Sequence, residues 1–150
     1  KGLAPLCVPV RQSGRQQGRD FPQMVAKAFG GQDNVIMFPA GLCSRRQDDG
    51  RIRDPQWHRF FIKKSVQYRR DVVPVHFIGQ NSPRFYRVAR FCKRWRLPNL
   101  AKLLLPDEMY RSQGKTYSVR IGKPIPWQTF DCSRTPDEWA GWVQDQVYSL

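Results

Sequence analysis

Acid is in short supply in this chain. Asp and Glu total 12 against 26 Lys and Arg, which leaves a formal net charge of +14 over 150 residues. Such a balance implies an acidic partner: nucleic acid, an anionic membrane, phosphorylated substrates or an acidic protein. Cysteine is scattered as well as scarce. Cys7, Cys43, Cys92 and Cys132 form no CxxC pair and no metal-ligand spacing, so reduced, cytosolic thiols are expected and no metal site is read. No apolar run approaches the ~18 residues of a spanning helix, so any membrane contact is expected to be peripheral. No signal-peptide pattern stands in these residues. The aromatics form no RNP-like pattern and there is no zinc-finger or helix-turn-helix signature, which argues against nucleic acid.

The length suits one domain with a real core. Leu6–Val10 reads as a short strand, pushed towards a sheet edge by Pro9. Phe21, Met24, Val25 and Ala28 recur at helical spacing over 21–29 and stop at Gly30-Gly31. Val35–Phe38 and Val72–Ile78 read as buried strands, with the polar, Arg-rich loop Cys43–Asp54 between them. Helices are predicted over 57–70 and over the basic-aromatic stretch Pro83–Trp95, followed by a short amphipathic segment, Leu97–Leu105. Thr116–Ile121 alternates as a half-buried strand. Thr135-Pro-Asp-Glu138 has the cap, the proline and the acids of a helix start, and Trp139, Trp142, Val143 and Val147 share one face of the helix that follows. Strands alternating with helices imply an α/β fold: a mixed, partly parallel sheet flanked by helices.

The most informative stretch is Asn34-Val-Ile-Met-Phe-Pro-Ala-Gly-Leu-Cys-Ser-Arg-Arg46. A short β-branched run meets Pro39 and Gly41, which force a turn, and then come the Ser44 hydroxyl and the Arg45 and Arg46 guanidiniums. A strand that ends in a glycine turn carrying Arg is a common way to build an anion site at a sheet edge.

This pattern resembles the third motif, Phe-Pro-Glu-Gly-Thr-Arg-Ser, of the PlsC-like glycerolipid and lysophospholipid acyltransferases. Val8-Pro9-Val10-Arg11 is similar to the family's second motif and Val72-Val73-Pro74-Val75 to its fourth. Val119-Arg120-Ile121-Gly122-Lys123-Pro124-Ile125 resembles the Ile-Gly-x-Pro-Ile that closes such domains. The order is the family's, across about three quarters of the chain. Ala40, the Ser44-Arg45 pair and Asn81-Ser82 are similar to a bacterial branch of hemolysin-named proteins and ornithine- and glycine-lipid O-acyltransferases.

The resemblance implies an enzyme that moves an acyl chain from a thioester, on acyl carrier protein or CoA, to the hydroxyl of a lysophospholipid or lyso-aminolipid. No cofactor is implied. The implied place is the cytoplasm, peripheral on the inner face of the cytoplasmic membrane. Arg11, Phe38, Pro39, Gly41, Ser44, Arg45 and Arg46 become the candidate substrate-binding residues. Arg11 is expected to clamp a phosphate or carboxylate, because a planar guanidinium suits bidentate anion contact. Two departures stand out. The family's HxxxxD is not in this chain: five residues after His58 and His76 stand Lys63 and Asn81. The general base and its orienting Asp are expected upstream, so residues 1–150 read as the C-terminal portion of one acyltransferase domain with no catalytic residue of its own. The second departure is Ala40, where a carboxylate thought to orient the acceptor is usual. The helix 83–95 suits an anionic lipid surface, an acidic carrier protein or nucleic acid phosphates. A basic nucleic-acid or peripheral membrane module without catalysis is the alternative function.

Overall fold

The computed structural model describes residues 7, 8, 10 and 18–150, and the elements below are drawn from these. In chain order they are α1 (Phe21–Gly30), β1 (Arg45–Arg46), β2 (Ile52–Arg53), α2 (Phe60–Tyr68), β3 (Val75–Ile78) and α3 (Pro83–Arg94). A 3-10 helix (Leu100–Leu104) then leads into α4 (Leu105–Arg111), β4 (Ser118–Ile121) and α5 (Pro136–Ser149).

The helix boundaries follow from capping chemistry. At α5 the Thr135 hydroxyl accepts the Glu138 N–H at 3.3 Å, while the Glu138 carboxylate accepts the Thr135 N–H at 2.6 Å. This reciprocal box satisfies two donors that a bare helix end leaves orphaned. At α3 the Ser82 hydroxyl accepts the Phe85 N–H, and Glu108 of α4 accepts from both the Ser82 N–H and its hydroxyl. Arg69 ends α2 in the left-handed conformation, φ +52°.

The fold is α/β, as expected, but its strands are shorter than the sequence implies. β1 pairs with β2, and β3 pairs with β4 in the register Val75–Ile121 and Phe77–Val119. A single bridge, Val72 to Ile125, continues the second ladder. Every pairing among the described residues is antiparallel, so the parallel part expected of the sheet is not seen among them. The expected strand Val35–Phe38 alternates in burial but joins no ladder among the described residues. The expected strand Leu6–Val10 falls in part outside the described residues. The expected loop 43–54 is the β1–β2 hairpin, turned by Gly50 at φ +84°. Two-residue strands leave too little alternation to be legible as strands.

Two apolar clusters hold these elements. The larger joins Ala40, Trp57, Phe61 and Ile62 to Ile125, Phe130 and one face of α5 (Trp139, Ala140, Val143, Val147). The smaller packs Phe85, Tyr86 and Ala89 of α3 on Ala101, with Cys43 and Ile52 of the hairpin at its edge. The β3–β4 ribbon rests its His76 side on α5, where the His76 and Tyr148 rings stand 5.3 Å apart. Its other face, with Val75, Phe77, Val119 and Ile121, is exposed, so β3 is not the buried strand its composition suggests.

Candidate functional site

The site grows from the turn after Phe38. Gly41 takes φ +63°, and its N–H donates to the Phe38 carbonyl at 3.1 Å, closing the turn. A Cβ at Gly41 meets nothing within 4 Å, so glycine is required here by backbone conformation and not by space. The Pro39 carbonyl accepts the His58 N–H at 3.1 Å, which ties the turn to the start of α2. Val35 and Met37 face inward, whereas Ile36 and Phe38 are 84% and 85% exposed. Ala40 does the opposite. It is 7% exposed and sits in the larger apolar cluster. The side chain at position 40 therefore faces the core and not the acceptor side that the missing carboxylate had suggested.

Arg70 fixes the chain that enters this turn. Its guanidinium donates to the carbonyls of Phe29 (3.2 Å), Gly31 (3.2 Å) and Asp33 (2.6 Å), gripping the end of α1 and the loop that leads to Asn34. Arg70 is itself held by mutual bonds with Ser65.

Beyond the turn, the three polar candidates have three different fates. Ser44 donates its hydroxyl proton to Asp54 at 2.7 Å. Arg45 donates through Nη1 to the carbonyls of Cys43 (2.6 Å) and Ser44 (3.1 Å), and its guanidinium carbon lies 5.4 Å from the centre of the Phe85 ring. Both are committed to holding the hairpin. Arg46 is exposed and has no side-chain partner among the described residues. It is the one of the three whose fork is available to an anion. Phe38, Pro39 and Gly41 shape the turn beside it, and Arg11 lies outside the described residues.

Asp54 is the hub that local sequence did not reveal. Besides the Ser44 proton its carboxylate accepts the Trp57 indole N–H at 3.1 Å. Its own N–H donates to the Tyr148 hydroxyl at 2.8 Å, and its carbonyl accepts from the Gln144 amide at 3.2 Å. Burial pushes the Tyr148 hydroxyl above its ordinary value, against the Asp54 N–H that it accepts. Arg53 lies over the Tyr148 ring at 4.7 Å and pairs with Asp145. Asp54-Pro-Gln-Trp57 is a short polar-aromatic signal that sequence reading could have caught. Gln144 and Tyr148 stand some 90 positions away and carry no local signal.

No base–carboxylate pair arises here among the described residues. His58 is exposed, and the His76 Nδ1 is buried against α5 without a hydrogen-bond partner. What the described residues assemble is a rigid turn that presents one guanidinium.

A family model described as acyltransferase covers residues 1–150. The chain belongs to that family. It is 56% identical over its whole length to a lyso-glycine lipid O-acyltransferase of Bacteroides thetaiotaomicron, of which it covers 55%. It is 53% identical over 99% of its length to a protein of the same name from Phocaeicola vulgatus, of which it covers 53%. The chain thus spans about half the length of the curated relatives it matches. No solved structure gives a significant match.

Proposed function

We propose that the protein acylates the hydroxyl of a lysolipid whose head group ends in a carboxylate, a lyso-glycine lipid, using an acyl thioester on carrier protein or CoA. We place it peripherally on the inner face of the cytoplasmic membrane. The observation that carries this reading is the likeness to the two lyso-glycine lipid O-acyltransferases, at more than half identity along the chain. In this reading residues 1–150 are the acceptor-binding half. The general base, a His oriented by an Asp, belongs to a part of the domain that packs upstream of the turn, over the exposed Ile36 and Phe38.

The step balances simply. The base takes the acceptor O–H proton and the oxygen attacks the thioester carbonyl carbon. The tetrahedral oxyanion collapses, the C–S bond breaks, and the thiolate leaves with the proton. Arg46, joined by Arg11, holds the carboxylate and so fixes the hydroxyl near the base. Ser44 and Arg45 act one step removed, by keeping the hairpin that carries Arg46 in place.

The test is acyl transfer by the full-length protein, with acyl carrier protein and CoA thioesters offered to lyso-glycine lipid and to lysophosphatidic acid. Lyso-glycine lipid is expected to be acylated, and Arg46→Ala to raise the acceptor KM about tenfold for the lost charge-assisted contact with an unchanged melting temperature. Failure to acylate any lysolipid from either donor refutes the function. A wild-type KM in Arg46→Ala refutes the residue assignment.

A further inference from the structure

Helix α3 has two faces of opposite character. Phe85, Tyr86, Ala89 and Cys92 are buried inward. At 100° per residue, Arg84, Arg87, Phe91, Arg94 and Trp95 share the outward sector, with Arg90 at its flank. Phe91 and Trp95 are 56% and 64% exposed, and their rings lie 6.2 Å apart as an i,i+4 pair. More than half of the area of this outward Phe–Trp pair stays in water. Leu103, on the 3-10 helix packed against α3, is more exposed still.

The charge around this pair has one sign. Helix α3 contains no acid. Arg84 pairs with Asp107 at 3.5 Å, a carboxylate it shares with Arg111 at 2.9 Å. Arg87, Arg90 and Arg94 are exposed and have no ion-pair partner among the described residues. Three unpaired cations therefore ring two exposed aromatic side chains on one helix face.

We propose that this outward face of α3 is a docking surface for an anionic lipid bilayer. Phe91, Trp95 and Leu103 enter the headgroup boundary, and Arg87, Arg90 and Arg94 pair with lipid phosphates. The helix lies in the interface plane and does not cross it. Among the described residues no helix is long and apolar enough to cross a membrane. Charge complementarity alone also fits an acidic protein, an occupant that the carrier-protein arm of the test below separates from a bilayer. A bilayer interface uses both halves of the pattern. Functionally, this places the acceptor-side turn on a domain already resting on the phase that holds a lysolipid. The inference deepens the membrane part of the function proposed above and rests on it, but it is tested by binding alone, so its failure and that of the acyl-transfer reading are distinguishable.

The experiment is cosedimentation of the full-length protein with vesicles of phosphatidylcholine, and of equal parts phosphatidylcholine and phosphatidylglycerol. Binding is expected on the anionic vesicles and to weaken as salt is raised. The triple variant Arg87→Glu, Arg90→Glu, Arg94→Glu is expected to lose at least about a hundredfold, at about fivefold per cation removed. Its Lys counterpart, which keeps the charge, is expected to stay within a few-fold of wild type. Phe91→Ser with Trp95→Ser is expected to lose about tenfold or more through the apolar area no longer inserted. Circular dichroism melts of each variant separate lost docking from lost folding. Wild-type vesicle binding in the folded Glu or Ser variants overturns the proposal. So does equal wild-type binding to neutral vesicles. If the Glu substitutions abolish binding to acyl carrier protein while vesicle binding persists, the face is a protein-docking surface and the bilayer proposal falls.

Discussion

Replacing Ala40 by the acid usual at this place in the resembling motif is a demanding test of how the turn is built. The Ala40 methyl lies among Trp57, Phe61, Ile62 and the inward face of α5, and no cation is part of that cluster. A carboxyl introduced there stays charged only at a prohibitive desolvation cost, so it takes up a proton instead. Keeping it neutral near pH 7 costs about 1.4 kcal/mol per pH unit above its ordinary value near 4.3, or about 3.7 kcal/mol. Forcing the longer side chain into a filled site adds about 1–3 kcal/mol. The expected loss in Ala40→Glu is therefore about 5–7 kcal/mol, a large part of the roughly 5–15 kcal/mol that holds an ordinary domain together. The sign with pH follows from the raised value. The electrostatic part of the penalty is absent below the ordinary carboxyl value and grows as pH rises above it. Ala40→Gln retains the bulk without the charge, so it should show the smaller loss and no such pH dependence. Urea unfolding followed by tryptophan fluorescence reads this directly, because Trp57 and Trp139 line the same cluster. A variant within about 1 kcal/mol of wild type near pH 7 refutes the inward placement of residue 40, as does a faster acyl transfer.

Three further outcomes are expected. Arg70→Ala removes three donor contacts to backbone carbonyls, and should cost about 1–2 kcal/mol and speed amide exchange over 31–38; unchanged exchange there removes Arg70 as the anchor of the turn. Tyr148→Phe strips the acceptor from the Asp54 N–H and should cost about 1 kcal/mol in a urea titration, with a neutral result showing that water takes the place of the hydroxyl. Glu138 is held below the usual carboxylate range by the Thr135 N–H and then by its hydroxyl. Its stabilising contribution is therefore present above the ordinary carboxyl value and is lost as pH falls through the lowered one. Exchange at the α5 N-terminus should accelerate through that acid window in wild type, and a Glu138→Gln variant should show a flatter pH response.

What could be read from the sequence was whatever is encoded locally. Thr135-Pro-Asp-Glu138 marks the start of α5 because capping needs residues only three positions apart, and Gly30-Gly31 ends α1 for an equally local reason. Pro83 after Ser82 opens α3 in the same way. Val35–Phe38 has strand composition, but a strand exists only through a partner, and pairing is set by residues distant in sequence. The apolar residues of β3 read as a buried strand, yet burial depends on what covers a face, and that face is open here. Helix α4 went unread because Leu105–Arg111 is seven residues long and contains Pro106, too short for a period to declare itself. At the site, Gly41 and Arg46 were legible as a turn residue and a cation. The commitment of Ser44 to Asp54, and of Arg45 to two carbonyls and a ring, was not. A side chain's partner is decided by geometry that residue type does not carry.

The make-up of the larger cluster sets when this chain can first hold itself together. Trp57, Phe61 and Ile62 close onto Trp139, Val143 and Val147, and β3 waits for β4 across some forty residues. A growing chain that has passed α3 can already close the smaller cluster on Ala101 and the hairpin, but the Trp57, Phe61 and Ile62 face of α2 lacks its α5 partners until α5 has been synthesised. Non-local closure of this kind is slow and leaves apolar surface in water meanwhile. During synthesis, those aromatic faces are therefore open to chaperones.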